Sequence, residues 1–142
     1  MLVRCLYVSR SAVAITAAVL DPILLQSRTK NPKLGITGLL CYRDDIFVQV
    51  LEGGRDAVCE LYNAIVRDDR HKDVRLLMFE EIEERRFNNW SMGKVNVDTI
   101  NPGLLLKYSE RAVLNPYAGS GKATMSLLLE LAASGSIASR GH

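Results

Sequence analysis

Metal-ligating and disulfide-forming residues are scarce in this chain. Its three cysteines, Cys5, Cys41 and Cys59, have no CxxC spacing, and its two histidines, His71 and His142, do not complete a zinc set with them. An odd number of cysteines, two of them inside apolar strand-like runs, gives no disulfide framework; they read as buried thiols in a reducing, cytoplasmic setting. No stretch approaches the roughly 18 uninterrupted apolar residues of a membrane helix, so no membrane partner is expected. The first residues lack the basic leader and long apolar run of a secretion signal. Charge of one sign is not in excess either. The 18 basic and 16 acidic residues leave a net charge of +2, and the basic ones are scattered, which gives no footprint for nucleic acid.

Core material, by contrast, is plentiful. With 48% hydrophobic and 24% charged residues over 142 positions, the chain can bury a sizeable interior, and one globular domain with a tail is expected. Residues 2–9 place Val3, Cys5 and Tyr7 on one face and Leu2, Leu6 and Val8 on the other, which predicts a central strand buried on both sides. Helical spacing of Val19, Leu20, Ile23 and Leu24 predicts a helix from Thr16, its N-cap, to Asn31. Arg28 and Lys30 then sit in its last turn. Pro22 inside it implies a kink, or a shorter helix capped by Asp21. Residues 35–42 and 46–51, joined by Arg43-Asp44-Asp45, predict an antiparallel hairpin. A second helix follows Gly53-Gly54 and ends at Arg67. Residues 74–79 form a fourth strand, 80–86 a charged connection, and 90–97 a fifth strand with Trp90, Met92, Lys94 and Asn96 on one side. The order β-α-β-β-α-β-β is α+β: a ferredoxin-like, mixed five-stranded sheet with two helices on one face, followed by C-terminal helices. Those helices are expected at 104–112 and 122–134, after which the chain frays. The second is apolar around most of its circumference, so it should cover the other sheet face or a partner.

Gln49 stands out because an amide on an otherwise apolar strand must find partners or carry the cost of unpaired burial. A phenol with an amide, Tyr7 with Gln49, can exchange one hydrogen bond and leave the amide capacity for another. The residues alone allow either a self-satisfied core pair or a ligand contact. Asn31 reads as a helix stop and Arg67-Asp68-Asp69-Arg70-His71 as solvated surface. Gly35 and Gly38 lack the spacing of a dinucleotide loop and read as close-packing strand glycines.

Tyr7, Asn31 and Gln49 occur together with Gly-Ile-Thr-Gly-Leu-Leu at residues 35–40, Phe-Val-Gln-Val-Leu-Glu-Gly at 47–53 and Trp-Ser-Met at 90–92. This combination, spread over residues 2–97, resembles the BLUF domain, a flavin-binding sensor of blue light. The resemblance implies FAD as cofactor, with FMN or riboflavin as shorter alternatives. It places Tyr7 and Gln49 beside the flavin ring, Asn31 and Lys30 at its polar edge, and Ile65 against the ring. Asp68 and His71 would border the ligand, with Arg67 and Arg70 toward the phosphates. It further implies a photocycle in which Tyr7 gives an electron and then a proton through Gln49, whose amide ends rotated or tautomerised while the flavin stays oxidised. Trp90 and Met92 would carry the change into the fifth strand.

On this reading residues 1–97 form the photosensor and 98–142 a helical extension for output or oligomerisation. The extension is too short for a catalytic domain, so no enzyme activity is expected. The signal would pass to a separate downstream signalling protein, and the apolar last helix suggests a homo-oligomer. Two rivals compete. One is a light-independent ferredoxin-like domain that regulates by binding a small molecule or nucleotide. The other is a hydrolase, for which Ser9 and Cys41 show no matched histidine in the sequence.

Overall fold

The computed structural model describes residues 1–134 and residue 137. His142 and most of the closing stretch expected to fray lie outside the described residues. The described elements are β1 (Leu2–Ser11), α1 (Ala17–Leu34), β2 (Thr37–Arg43), β3 (Ile46–Gly54), α2 (Arg55–Arg67), β4 (His71–Ile82), β5 (Gly93–Asn96), a 3-10 turn (Val97–Thr99), α3 (Pro102–Tyr108) and α4 (Gly121–Ala133). The five strands form one mixed sheet in the order β4-β1-β3-β2-β5. β3 runs antiparallel to both β1 and β2, and only β5 joins in parallel, beside β2. The expected α+β plan is therefore the observed one.

Alternation along the strands divides the core into two layers. Val3, Cys5, Tyr7, Leu40, Phe47 and Leu51 face α1 and α2, together with Leu20, Ile23, Leu24 and Val58. Leu6, Val8, Leu39, Cys41, Val48 and Val50 face the other way, against Met125, Leu127, Leu128 and Leu131 of α4. The apolar circumference of α4 is thus occupied by its own sheet, and the expectation of a homo-oligomer loses the feature that suggested it. Cys5 and Cys41 are buried free thiols, both pushed up to about 12 by desolvation.

Several boundaries differ from the sequence reading, among them the end of α1 and the limits of β4 and β5. α1 begins at Ala17 and runs through Pro22 and Pro32 to Leu34, which excludes a helix starting at Pro22. Its stop is not Asn31 but Gly35, whose φ of 68° suits glycine, with Ile36 N–H donating to Asn31 O at 2.9 Å. β4 starts earlier and ends later than 74–79 because it is an edge strand, where exposed Glu80 and Glu81 are tolerated. β5 is shorter than expected. The carbonyls of Ser91 and Met92 accept from Asn31 Nδ2 (2.9 Å) and Arg28 Nε (3.0 Å) on α1, so this segment is tied to the helix before it enters the ladder.

Trp90 and Met92 consequently do not share a side. Met92 is fully buried in the layer under α1 and α2, while half-buried Trp90 packs in the layer under α4.

Candidate functional site

A cavity of about 110 Å³ opens between α1, α2 and the sheet face that carries Tyr7 and Gln49. Helical spacing turns Ile23, Ser27, Asn31 and Leu34 of α1 toward it, and Leu61 and Ile65 do the same from α2. Strand alternation supplies the floor: Tyr7 faces Gln49 across the β1–β3 pair, and Gln49 faces Leu40 across the β3–β2 pair. A larger open depression of about 500 Å³ lies at the start of α4, but it is walled mostly by exposed side chains of the tail.

Two buried polar residues form the floor's hydrogen-bond chain. Tyr7, with no solvent exposure, donates its hydroxyl to Gln49 Oε1, and Gln49 Nε2 donates to Met92 Sδ at 3.2 Å. These partners assign the amide orientation, since a phenol can give a proton here and a thioether can only accept one. Burial holds the Tyr7 phenol protonated, with its pKa well above the usual value. The ring of Tyr62 meets that of Tyr7 edge-on at 5.7 Å.

Asn31 is buried and donates to Ser91 O, while among the described residues no donor reaches its Oδ1. Lys30, one residue before, is exposed at the rim. At the C-terminal end of α2, Arg70 ties the two helices across the cavity mouth. Its Nη2 reaches Asp68 Oδ2 at 2.6 Å and Gln26 Oε1 at 3.0 Å. The Arg70 hydrogen bond holds the Asp68 carboxyl below its usual range.

His71 also lines the cavity, and its pKa falls because burial disfavours the imidazolium. Its Nδ1 lies 2.9 Å from Ser9 Oγ, a pairing that the sequence reading missed. A serine beside a histidine is half of a nucleophile's equipment. Here Ser9 has no solvent exposure and is not among the cavity-lining residues, so a substrate carbonyl cannot reach it.

The cavity thus gathers Tyr7, Lys30, Asn31, Gln49, Ile65, Asp68, Arg70 and His71, all expected from the sequence. One expected ligand contact fails to converge on it. Arg67 is exposed and absent from the lining, because the last turn of α2 points it away from the sheet. Trp90 packs on the opposite layer, as described above. Gln26, Ser27, Leu34 and Leu61 were missed, although the three on α1 continue the face of Ile23 and Asn31. Apolar walls with polar groups at one edge suit a flat aromatic heterocycle with carbonyl and N–H groups on its rim. Among the described residues no cluster of His, Cys, Asp or Glu could hold a metal ion, and no helix is long and apolar enough to cross a membrane.

Comparison with known proteins agrees with this chemistry. Residues 2–93 match the family model described as BLUF, sensors of blue light using FAD. The solved structure titled "BlsA photo-activated state" is 32% identical, covers 93% of this chain and 95% of its own, and superposes with a TM-score of 0.83. The structure titled "BlrB - a BLUF protein, dark state structure" is 35% identical, with coverage of 94% and 96% and a TM-score of 0.79. Among curated proteins, photoactivated adenylate cyclase subunit beta of Euglena longa is 37% identical over 81 residues. That alignment takes in 57% of this chain and 9% of the relative, so the chain spans only a small part of such proteins.

Proposed function

Because the chain belongs to the BLUF family of blue-light sensors using FAD, we propose that its response to light turns on the side-chain amide of Gln49. The protein is a blue-light photoreceptor, and FAD is its chromophore. The donor set suits that group: the amides of Asn31 and Gln49 line a cavity that joins aliphatic walls (Ile23, Leu40, Leu61, Ile65) to a polar edge (Lys30, Asp68, Arg70, His71). Asn31 and Lys30 would hold the polar rim of the ring, Ile65 its face, and Asp68, Arg70 and His71 the side leading to the ribityl chain. Arg67 would act only at longer range.

When bound, FAD absorbs blue light and supplies an electron acceptor. The rest of the work falls to this chain. Tyr7 holds a proton on Oη against Gln49 Oε1, and Gln49 holds Met92 through Nε2. An amide rotated by half a turn presents Nε2 to the Tyr7 oxygen, which can accept, and Oε1 to the Met92 sulfur, which has no proton to give. Rotation therefore keeps one bond and breaks the other, and Met92 is released from β3. The observation that carries this reading is the position of the Tyr7–Gln49–Met92 chain on the cavity floor.

Residues 1–97 would then be the photosensor and 98–142 the output extension. The domain itself acts as a switch and not as an enzyme, and it hands its signal to a separate protein. A nucleotide cyclase is one class of recipient, by analogy with the Euglena longa relative. Absorption spectra of the purified protein, dark and after blue light, test the proposal. A flavin spectrum that moves slightly red and relaxes in darkness is expected, and Gln49→Leu should keep the flavin and lose the shift. A normal shift in that variant would refute the assignment to Gln49; a protein that takes up no FAD would refute the flavin site itself.

A further inference from the structure

The segment between β4 and β5 is fastened to β3 at both of its ends, and the two fastenings differ in kind. Upstream, the fully buried carboxylate of Glu52 accepts the backbone N–H of Arg86 at 3.0 Å on each oxygen and that of Phe87 at 2.7 Å. Arg4 completes the shell, with Nε at 2.9 Å and Nη2 at 2.8 Å from Oε2. Arg85 adds a bond from Nη1 to Thr37 Oγ1 at 3.0 Å, and Phe87 itself is wholly buried. Downstream, three positions earlier on β3, the side-chain tie to that strand is the bond from Gln49 Nε2 to Met92 Sδ at 3.2 Å. The backbone of residues 90–92 is held elsewhere, Trp90 O by Gly38 N–H (3.0 Å), Ser91 O by Asn31 Nδ2 (2.9 Å) and Met92 O by Arg28 Nε (3.0 Å).

Charge-assisted bonds to backbone N–H groups are among the strong ones, and a buried carboxylate cannot give up its donors without being left desolvated and unpaired. A thioether is a weak acceptor. The tie to β3 is therefore strong at Glu52 and weak at the Met92 side chain, although the Met92 backbone is also held to α1 by Arg28. If Met92 loses its donor, the slack cannot run back past Phe87, which Glu52 holds. It can run forward, through Gly93–Asn96 into the 3-10 turn and α3, and from there to α4 on the other sheet face.

We propose that Glu52 is the fixed anchor of this segment, a positioning residue that directs the rearrangement at Gln49 and Met92 forward into β5 and the helices instead of back into β4. The inference rests on the reading of Gln49 as the light-responsive group.

Hydrogen exchange of the full chain loaded with FAD, in darkness and under blue light, tests it. In the wild type the amides of Arg86 and Phe87 should stay protected in light, while residues 93–108 lose protection. Glu52→Gln puts a donor where two backbone N–H groups need acceptors. The pair Arg4→Met with Glu52→Met removes the anchor without leaving a buried charge unpaired, since Glu80, which Arg4 also pairs at 3.0 Å, is exposed to water; it serves in case the single variant does not fold. In either variant the flavin red shift should persist, while the light-minus-dark difference at 93–108 is lost and one appears at 83–89. Loss of protection at Arg86 and Phe87 in the illuminated wild type would overturn the anchor, as would an unchanged difference at 93–108 in a variant that still shifts. A wild type with no red shift would overturn the Gln49 reading and the anchor with it, so the two failures are distinguishable.

Discussion

Tyr7→Phe and Gln49→Leu, made singly and together, measure the pair on which the switch depends. Tyr7→Phe keeps the ring against Tyr62 and leaves Gln49 Oε1 without its donor. Gln49→Leu leaves the Tyr7 hydroxyl, which has no solvent exposure, without an acceptor, and also removes the donor to Met92 Sδ. Stranding one buried polar group costs about 1–3 kcal/mol, whereas replacing both partners by apolar groups can be nearly neutral. The adjoining cavity admits water to part of the lost bond, so the lower half of that range applies to the flavin-free protein. Each single variant should therefore lose about 1–2 kcal/mol, or a few degrees in Tm at roughly 2–4 °C per kcal/mol for a chain of this size. The double variant should lose less than the sum by about 1 kcal/mol, a coupling well above the roughly 0.3–0.5 kcal/mol within which independent sites add. Urea unfolding of the four flavin-free proteins reads this directly. Additive losses would refute the hydrogen bond as an energetic unit, whatever the photochemistry shows.

Three further outcomes are expected. His71 has its pKa depressed below 6.5 by burial, so the folded protein resists protonating it; stability should hold steady above about pH 6.5 and fall as the pH drops toward the lower folded-state pKa. Unfolding midpoints across that range check this, and His71→Gln should remove the His71 step. Arg70→Gln cuts the tie between Asp68 and Gln26 across the cavity mouth; since exposed ion pairs contribute about 0–1 kcal/mol, Tm should barely move, while flavin released on dilution, followed by its fluorescence, should leave faster. Gly38→Ala drives a Cβ into the carbonyl oxygen of Val50 on the paired strand, and should destabilise the sheet by about 3 kcal/mol or more, seen as a lowered denaturant midpoint.

Much of the site was legible because its residues are set by local periods. Two-residue alternation along β1 and β3 puts Tyr7 and Gln49 on one sheet face with apolar neighbours, and the repeat of α1 puts Ile23, Gln26, Ser27, Lys30, Asn31 and Leu34 on one helix face. The sequence by itself thus determined the order of elements, the polar pair in an apolar layer and, through its motifs, the family. It did not determine what depends on register and loop closure between distant segments. Where Trp90 and Met92 go depends on Asn31 and Arg28, some sixty residues earlier in the chain, holding the carbonyls of Ser91 and Met92. The meeting of Ser9 with His71 follows from the offset of β4 along β1. Glu52 looks like a stray charge in an apolar strand until Arg4, Arg86 and Phe87 close around it. The apolar surface of α4 could have faced a partner, and only the packed fold assigns it to the back of its own sheet. Each of these is a non-local contact whose free energy arises from desolvation and pairing in the assembled core, so only tertiary structure decides it.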